Sequence, residues 1–384
     1  MKVAVAVDSL KGSLTSAQAG KAVLDGILRV YPEADVWVRP LADGGEGTVE
    51  ALVCGMGGRR EKITVTGPLG RPVECCYGII EKSGTAVLEM SGAAGITLIS
   101  EKERNPLFTT TYGVGEVIRD AISKGCRRFI VGIGGSATND GGIGMLQALG
   151  YGFLNGRGEQ VSPGAKGLSE LESISDARVL PELKECEFQI ACDVTNPLCG
   201  DQGCSAVFGP QKGADPSMIK AMDQWLKHYA DLAGETFVRA DPSQPGTGAA
   251  GGLGFAFLTF TNAVLESGIT IVLKETELEQ YIRKADLVIT GEGRLDAQTV
   301  MGKAPAGVAK LAKKYGKPVV AFAGCAADDA SECNRHGIDA FFPILREASS
   351  IETAMETENA KKNMTAAVEQ VMRLWRCREN HERK

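Results

Sequence analysis

The chain opens on an unbroken apolar run, VAVAV (3–7), with no polar residue on either face. A strand of that kind must be covered on both sides, which is the habit of a parallel sheet packed between helices. A polar loop follows, then the capping pattern Thr15-x-x-Gln18, then Ala19, Ala22, Val23, Ile27 and Val30 at helical spacing, then Pro32. A short strand is expected at 36–38 and a further helix from 49. The last hundred residues use the same grammar. Strands are expected at 287–290, 318–322 and 339–342, with helices at 304–314 and 330–335. A long final helix carries Met364, Ala367, Val368, Val371 and Trp375 on one face. The charged tail from Arg376 is expected to be solvated.

The two ends together supply five strands alternating with helices, the composition of a flavodoxin-like or Rossmann-like doubly wound parallel sheet. The middle reads differently. Strands at 63–66, 73–80 and 86–90 follow one another directly, with turns at Gly67-Pro68 and Ser83-Gly84. A helix near 115–122 and strands at 129–133 and 188–191 come later, separated by long glycine-rich loops. The expected class is therefore α/β with two domains. Residues 1–60 and 285–384 form a discontinuous flavodoxin-like domain, and 61–284 form a second α/β domain inserted into it.

Composition excludes several functions. Forty-two basic against 48 acidic residues leave a net charge of −6 with no basic block, a poor basis for holding nucleic acid. No apolar run reaches a membrane span. Eleven cysteines without regular spacing suggest reduced, mostly buried thiols in a cytoplasmic protein. The three histidines fall in a helical run (His228), at a helix end (His336) and in the tail (His381). Histidine-based catalysis or metal binding is thus disfavoured, and a base should be a carboxylate.

The chemistry concentrates in six polar, glycine-rich segments: DSLKGSL (8–14), ADGGEGT (42–48), GIGGSATNDGG (132–142), CDVTNP (192–197), GTGAAGG (246–252) and TGEGRLDAQ (290–298). Four begin just past an expected strand, the edge where open α/β sheets bind ligands. Glycine backbone can approach an anion, hydroxyls can donate to it, and carboxylates can hold Mg²⁺ or accept a proton. Phosphoryl transfer needs all three. The dinucleotide reading of GIGGSA fails because the loop runs on through Asn139, Asp140, Gly141 and Gly142 instead of entering a helix. No GxxxxGK[ST] is present; Gly302-Lys303 lacks its upstream glycine.

Read in chain order, these loops, together with GPLG (67–70) and FGPQKGA (208–214), resemble the type I glycerate kinases, the bacterial 2-phosphoglycerate-forming family. The resemblance runs from Val3 to at least Val371. It implies ATP- and Mg²⁺-dependent phosphorylation of D-glycerate, with an active site between two α/β domains. The product is expected to be 2-phosphoglycerate; 3-phosphoglycerate is the alternative, and a non-catalytic sugar-acid sensor a more remote one. Asp193, Asp8 and Lys11 are the candidate catalytic residues. Ser9, Gly44, Gly45, Gly134, Gly135, Ser136, Thr138, Asn139, Lys212, Gly251, Gly252 and Arg294 are candidates for holding substrate or phosphate. Asp43, Glu46, Asp140, Glu292 and Asp296 are candidates for the metal. The partners are small molecules, with no nucleic acid or membrane, and a homodimer is left open.

Overall fold

The computed structural model describes residues 1–382 apart from Asp43 and Glu46, and side chains as far as Cys377. The chain divides into two compact units, Met1–Asp43 with Glu50–Gly57 and Ile269–Lys384, and Gly44–Val49 with Gly58–Gly268. Residues 269–284, expected in the insert, thus fall in the first unit. Their helices, Gly268–Glu275 and Leu278–Lys284, bury Ile271, Val272, Leu278 and Ile282.

The first unit is a five-stranded, all-parallel sheet. Its spatial order is Ala340–Pro343, Val319–Ala326, Leu287–Leu295, Lys2–Val7, Asp35–Val38. Val3, Val5 and Val7 pack with the helices Ser16–Leu28 and Thr357–Glu382 through Ala19, Val23, Ile27, Met364 and Val368. Ala4 and Ala6 are fully buried too, so the first strand is covered on both faces as its composition requires. Thr15 and Gln18 form the expected reciprocal cap of the first helix. The final helix runs on to Glu382, past the Arg376 at which a solvated tail was expected.

The order of this sheet reverses between Lys2–Val7 and Leu287–Leu295. The first strand leaves through its helix toward Asp35–Val38, whereas Leu287–Leu295 leaves through Ala304–Lys314 toward Val319–Ala326. Their connections diverge, which opens a crevice at the carboxyl edge. Leu287–Leu295 is also longer than expected. Its glycines let the neighbouring strand close in: a Cβ on Gly291 would lie 2.0 Å from the Phe322 carbonyl oxygen. Pairing continues through Glu292↔Ala323 to Leu295↔Ala326. Glu292 and Arg294 therefore sit on a strand rather than in a loop.

The second unit is a six-stranded mixed sheet in the order Asn262–Glu266, Glu187–Ala191, Arg128–Gly132, Thr85–Glu89, Pro72–Ile80, Arg59–Thr66. The first four run parallel, and Pro72–Ile80 runs antiparallel to Thr85–Glu89 on one side and Arg59–Thr66 on the other. GPLG makes the tight turn between the antiparallel pair, closed by Gly67 N–H donating to the Arg71 carbonyl at 2.7 Å. The core carries stacked Phe129 and Phe188 and a cluster of Tyr151, Phe153, Tyr229 and Phe260. All eleven cysteines are free, five of them buried and four exposed, fewer buried than composition suggested. Burial pushes the Cys75 thiol to about 12 and Cys204 to about 11, which keeps these groups protonated and inert. Among the described residues no helix is long and apolar enough to cross a membrane.

The first and last helices meet at Gly26, where a Cβ would stand 2.7 Å from both the Thr365 carbonyl oxygen and Val368 Cβ. Gly26→Ala is expected to destabilise the first unit by about 1–3 kcal/mol through overpacking, read as a lower thermal midpoint by circular dichroism.

Candidate functional site

At the carboxyl edge of the first sheet, the strands Lys2–Val7 and Leu287–Leu295 are tied by Asp8 N–H donating to the Gly291 carbonyl at 2.8 Å. A cavity of about 500 Å³ opens there. Asp8, Ser9 and Lys11 line it from one strand end; Glu292 and Arg294, two residues apart and so on one face of their strand, line it from the other. Asp8 and Glu292 are buried. Asp8 Oδ1 accepts from Ser9 N–H at 2.7 Å, and Glu292 Oε1 accepts from Thr299 Oγ1 at 2.6 Å. Gly12, at φ +76°, turns the chain behind Lys11. Lys303, set aside in the sequence as a fragment of an absent motif, also lines this cavity. Asp296 stands beside it, 3.6 Å from Arg294 and 3.5 Å from Lys303, and accepts from Gln298 N–H. It stands between two cations.

The second unit presents its own set at the carboxyl edge of its parallel strands. GIGGSATNDGG follows Arg128–Gly132, and CDVTNP follows the adjacent Glu187–Ala191. Gly44 sits against both strand ends. A Cβ on Gly132 would lie 2.4 Å from the Gly44 carbonyl oxygen, and one on Gly44 would lie 2.7 Å from Ala191 Cβ. A Cβ on Gly134 would lie 3.6 Å from Gly45 Cα, and Gly134 and Gly135 are exposed. Asp193 is exposed and accepts from Gly268 N–H at 3.1 Å.

Behind Gly135 the loop becomes fully interior. Lys212 is 1% exposed and donates to Ser136 Oγ and to the Thr138 carbonyl, each at 2.7 Å. Burial pushes its ammonium down to about 8, against the opposing pull of Cys204 and Asp140. Because Ser136 Oγ accepts from Lys212, its own hydrogen is left to donate elsewhere. Asn139 donates to Ser205 Oγ at 2.8 Å, while Asn139 Oδ1 and Thr138 Oγ1 are buried without a hydrogen-bond partner among the described residues.

Asp140 takes a different part from the one expected. Its carboxylate is wholly buried and accepts from Thr111 N–H (2.8 Å), Thr111 Oγ1 (2.9 Å) and Gly142 N–H (3.1 Å). Burial raises its pKa, opposed by those bonds. It ties the loop to Thr111 and leaves little of itself for a metal. Gly251 and Gly252 likewise face the chain: a Cβ on Gly251 would lie 2.1 Å from the Thr138 carbonyl oxygen, and Gly141 N–H donates to the Gly251 carbonyl. Their freedom permits this loop-on-loop packing. Asp43 and Glu46 lie outside the described residues. Among the described residues no group of three or more Asp, Glu, His or Cys converges as a preformed metal cage. Mg²⁺, which keeps waters and substrate oxygens, needs only one or two carboxylates.

Buried carboxylates at the carboxyl edges of parallel strands, with lysines and glycine-rich backbone beside them, define an α/β protein built to handle small anions. The family model described as the Glycerate kinase family matches residues 3–376. A Bacillus subtilis glycerate kinase is 48% identical, covering 93% of each chain. An Escherichia coli glycerate 2-kinase is 45% identical, covering 92% of this chain and 93% of its own. A crystal structure ascribed to a glycerate kinase 2 from Salmonella typhimurium LT2 superposes with a TM-score of 0.91 at 43% identity, covering 99% of each chain. This chain belongs to the glycerate kinase family.

The displaced pKa of Lys212 has a consequence for stability. Its folded value of about 8 lies below the ordinary 10.5, so the unfolded chain binds this proton more tightly. Stability from this group is absent below pH 8 and grows as pH rises from about 8 toward 10.5. The denaturation free energy of the wild type minus that of Lys212→Met should therefore increase across that window, by up to about 3 kcal/mol. Parallel urea titrations at pH 7.5 and pH 10 measure it.

Proposed function

We infer that this chain is an ATP-dependent glycerate 2-kinase. The 2-hydroxyl oxygen of D-glycerate attacks the γ-phosphorus of ATP, the bond to the β–γ bridging oxygen breaks, and ADP leaves with its electron pair. The hydroxyl proton passes to a carboxylate. The observation that carries this reading is the meeting of opposite charges at the switch point, where Asp8 and Glu292 stand with Lys11 and Arg294 around one cavity. Phosphoryl transfer demands cations to gather charge on the moving phosphoryl group and acids to hold a divalent ion.

Mg²⁺ fits Asp8 and Glu292, two buried carboxylates on neighbouring strand ends that line one cavity, better than it fits Asp140, whose carboxylate is wholly enclosed by Thr111 and Gly142. When bound, it would supply positive charge against the developing charge of the transferring phosphoryl group. Lys11 and Arg294 would steady the phosphate oxygens. Asp193 is the proposed base. Its Oδ1 is held by the Gly268 amide, which fixes the carboxylate at the strand end, and the side chain is exposed there. The exposed backbone of Gly134 and Gly135 and the Ser136 hydroxyl supply donors for the glycerate carboxylate. Lys212 acts one step back, orienting Ser136 and the Thr138 carbonyl. We also place the protein in the cytoplasm, where its eleven free thiols persist unpaired.

A coupled ADP-release assay with ATP, Mg²⁺ and D-glycerate, with the product resolved by phosphorus NMR, is expected to give 2-phosphoglycerate; 3-phosphoglycerate would relocate the attacking hydroxyl, and no phosphorylated product would refute the activity. Asp193→Asn is expected to lower kcat by roughly 10²–10⁴ with the fold retained; near-normal turnover would remove it as base. Glu292→Gln is expected to raise the Mg²⁺ concentration for half-maximal rate about tenfold, the scale of one weakened binding contact, read from metal titrations at saturating ATP and glycerate.

A further inference from the structure

We propose that the cavity at the switch point of the first unit holds the nucleoside end of ATP. The purine lies on an apolar wall of Ile344, Leu345, Ile351, Ala354 and Met355, and the triphosphate runs toward Lys11, Arg294 and Lys303. The proposal rests on the kinase reading above and adds to it which unit carries the nucleotide.

Three features of the cavity point to this ligand, the first being its size together with its lining. Its volume of about 500 Å³ is in the range of sites for mid-sized organic ligands. Its lining has two characters, with cations at the strand ends and hydrocarbon on the side contributed by residues 344–360. Glycerate carries oxygen on every carbon and has nothing to set against hydrocarbon. Of the two substrates, only the nucleotide joins a flat apolar ring to a polyanion.

The second feature is exposure. Leu345, Ile351 and Met355 are 45%, 74% and 39% exposed. Large apolar side chains gathered in the open at the lip of one cavity mark a surface that a ligand covers. Met355 adds a polarizable thioether, suited to an aromatic face, and is held beside the Lys11 turn: a Cβ on Gly12 would meet Met355 Cε at 2.8 Å. The third is topology. In open α/β sheets the crevice at the strand-order reversal is where nucleotides settle. This cavity occupies it, bounded by Asp8 after the first strand and by Gly293, Gly324 and Cys325 on the next two.

Cys325 supplies a test on the unmodified full chain. It is exposed and lines the cavity, whereas Cys54, Cys76 and Cys377 are exposed outside its lining. The probe is a pulse of N-ethylmaleimide, with labelling of each cysteine quantified by peptide mass spectrometry. ATP with Mg²⁺ at about ten times its Kd is expected to slow labelling of Cys325 about tenfold by mass action and to leave the other three unchanged. D-glycerate alone should protect nothing, and inorganic triphosphate should protect less than ATP. A second arm fills the apolar wall. Ala354→Trp is expected to raise KM for ATP by about tenfold, a contact's worth of binding, with KM for D-glycerate unchanged. Protection of Cys325 by D-glycerate alone, no protection by saturating ATP, or an Ala354→Trp enzyme that loses glycerate affinity but keeps its KM for ATP would each overturn the proposal. Such results would leave the activity standing so long as the wild type still makes 2-phosphoglycerate; absence of that product would instead sink the kinase reading.

Discussion

The parallel pairing of the first strand with Leu287–Leu295 is the interaction on which the rest depends. It joins Val3 to Leu287 and Val7 to Gly291, and its last hydrogen bond, Asp8 N–H to the Gly291 carbonyl, sets two buried acids side by side. Both strands are walled by helices above and below, so polar groups can gather only at their ends. The divergence of the two outgoing connections then decides which end is open. Cavity, cations and carboxylates all follow from one register.

The second unit solves a related problem by close packing of backbone. Gly132, Gly44 and Gly251 each stand where a side chain would strike a carbonyl or a neighbouring carbon, and the space saved lets three loops share one volume. A buried ammonium at Lys212 then bonds two neutral oxygens. Such a cation is expensive to hold in the interior, and burial is the largest cause of its depressed pKa. Asp140 pins the same loop from the other side through Thr111. The loop is thus held from two sides by buried titratable groups.

Much of this was legible in residues. The uninterrupted apolar run at the start, the capping box at Thr15 and the glycine-rich segments after strands identified the parallel sheet, its covering helices and the two sets of polar loops. What escaped did so for identifiable reasons. The strand Asn262–Glu266 follows directly on the helix Ala249–Phe260 inside one long apolar stretch, where neither a period of two nor one of 3.6 stands out. Glu292 and Arg294 looked like loop residues because glycines flank them, yet those glycines serve to draw strands together. Asp140 has the composition of a metal ligand and the surroundings of a structural tie; only its partners distinguish the two. Lys303 and the apolar wall at 344–360 carry no local signature, since distant segments build that cavity.

The interrupted first unit also bears on how the chain is made. Its opening strand has Asp35–Val38 on one side, but the partner on its other side lies more than 280 residues downstream. At ribosomal speeds of about 5–20 residues per second, that neighbour emerges roughly 15–60 s later. Throughout that interval the first strand lacks its partner along one edge, leaving backbone N–H and C=O groups unpaired there. The beginning of the sequence therefore completes its sheet only after the interior has been synthesised.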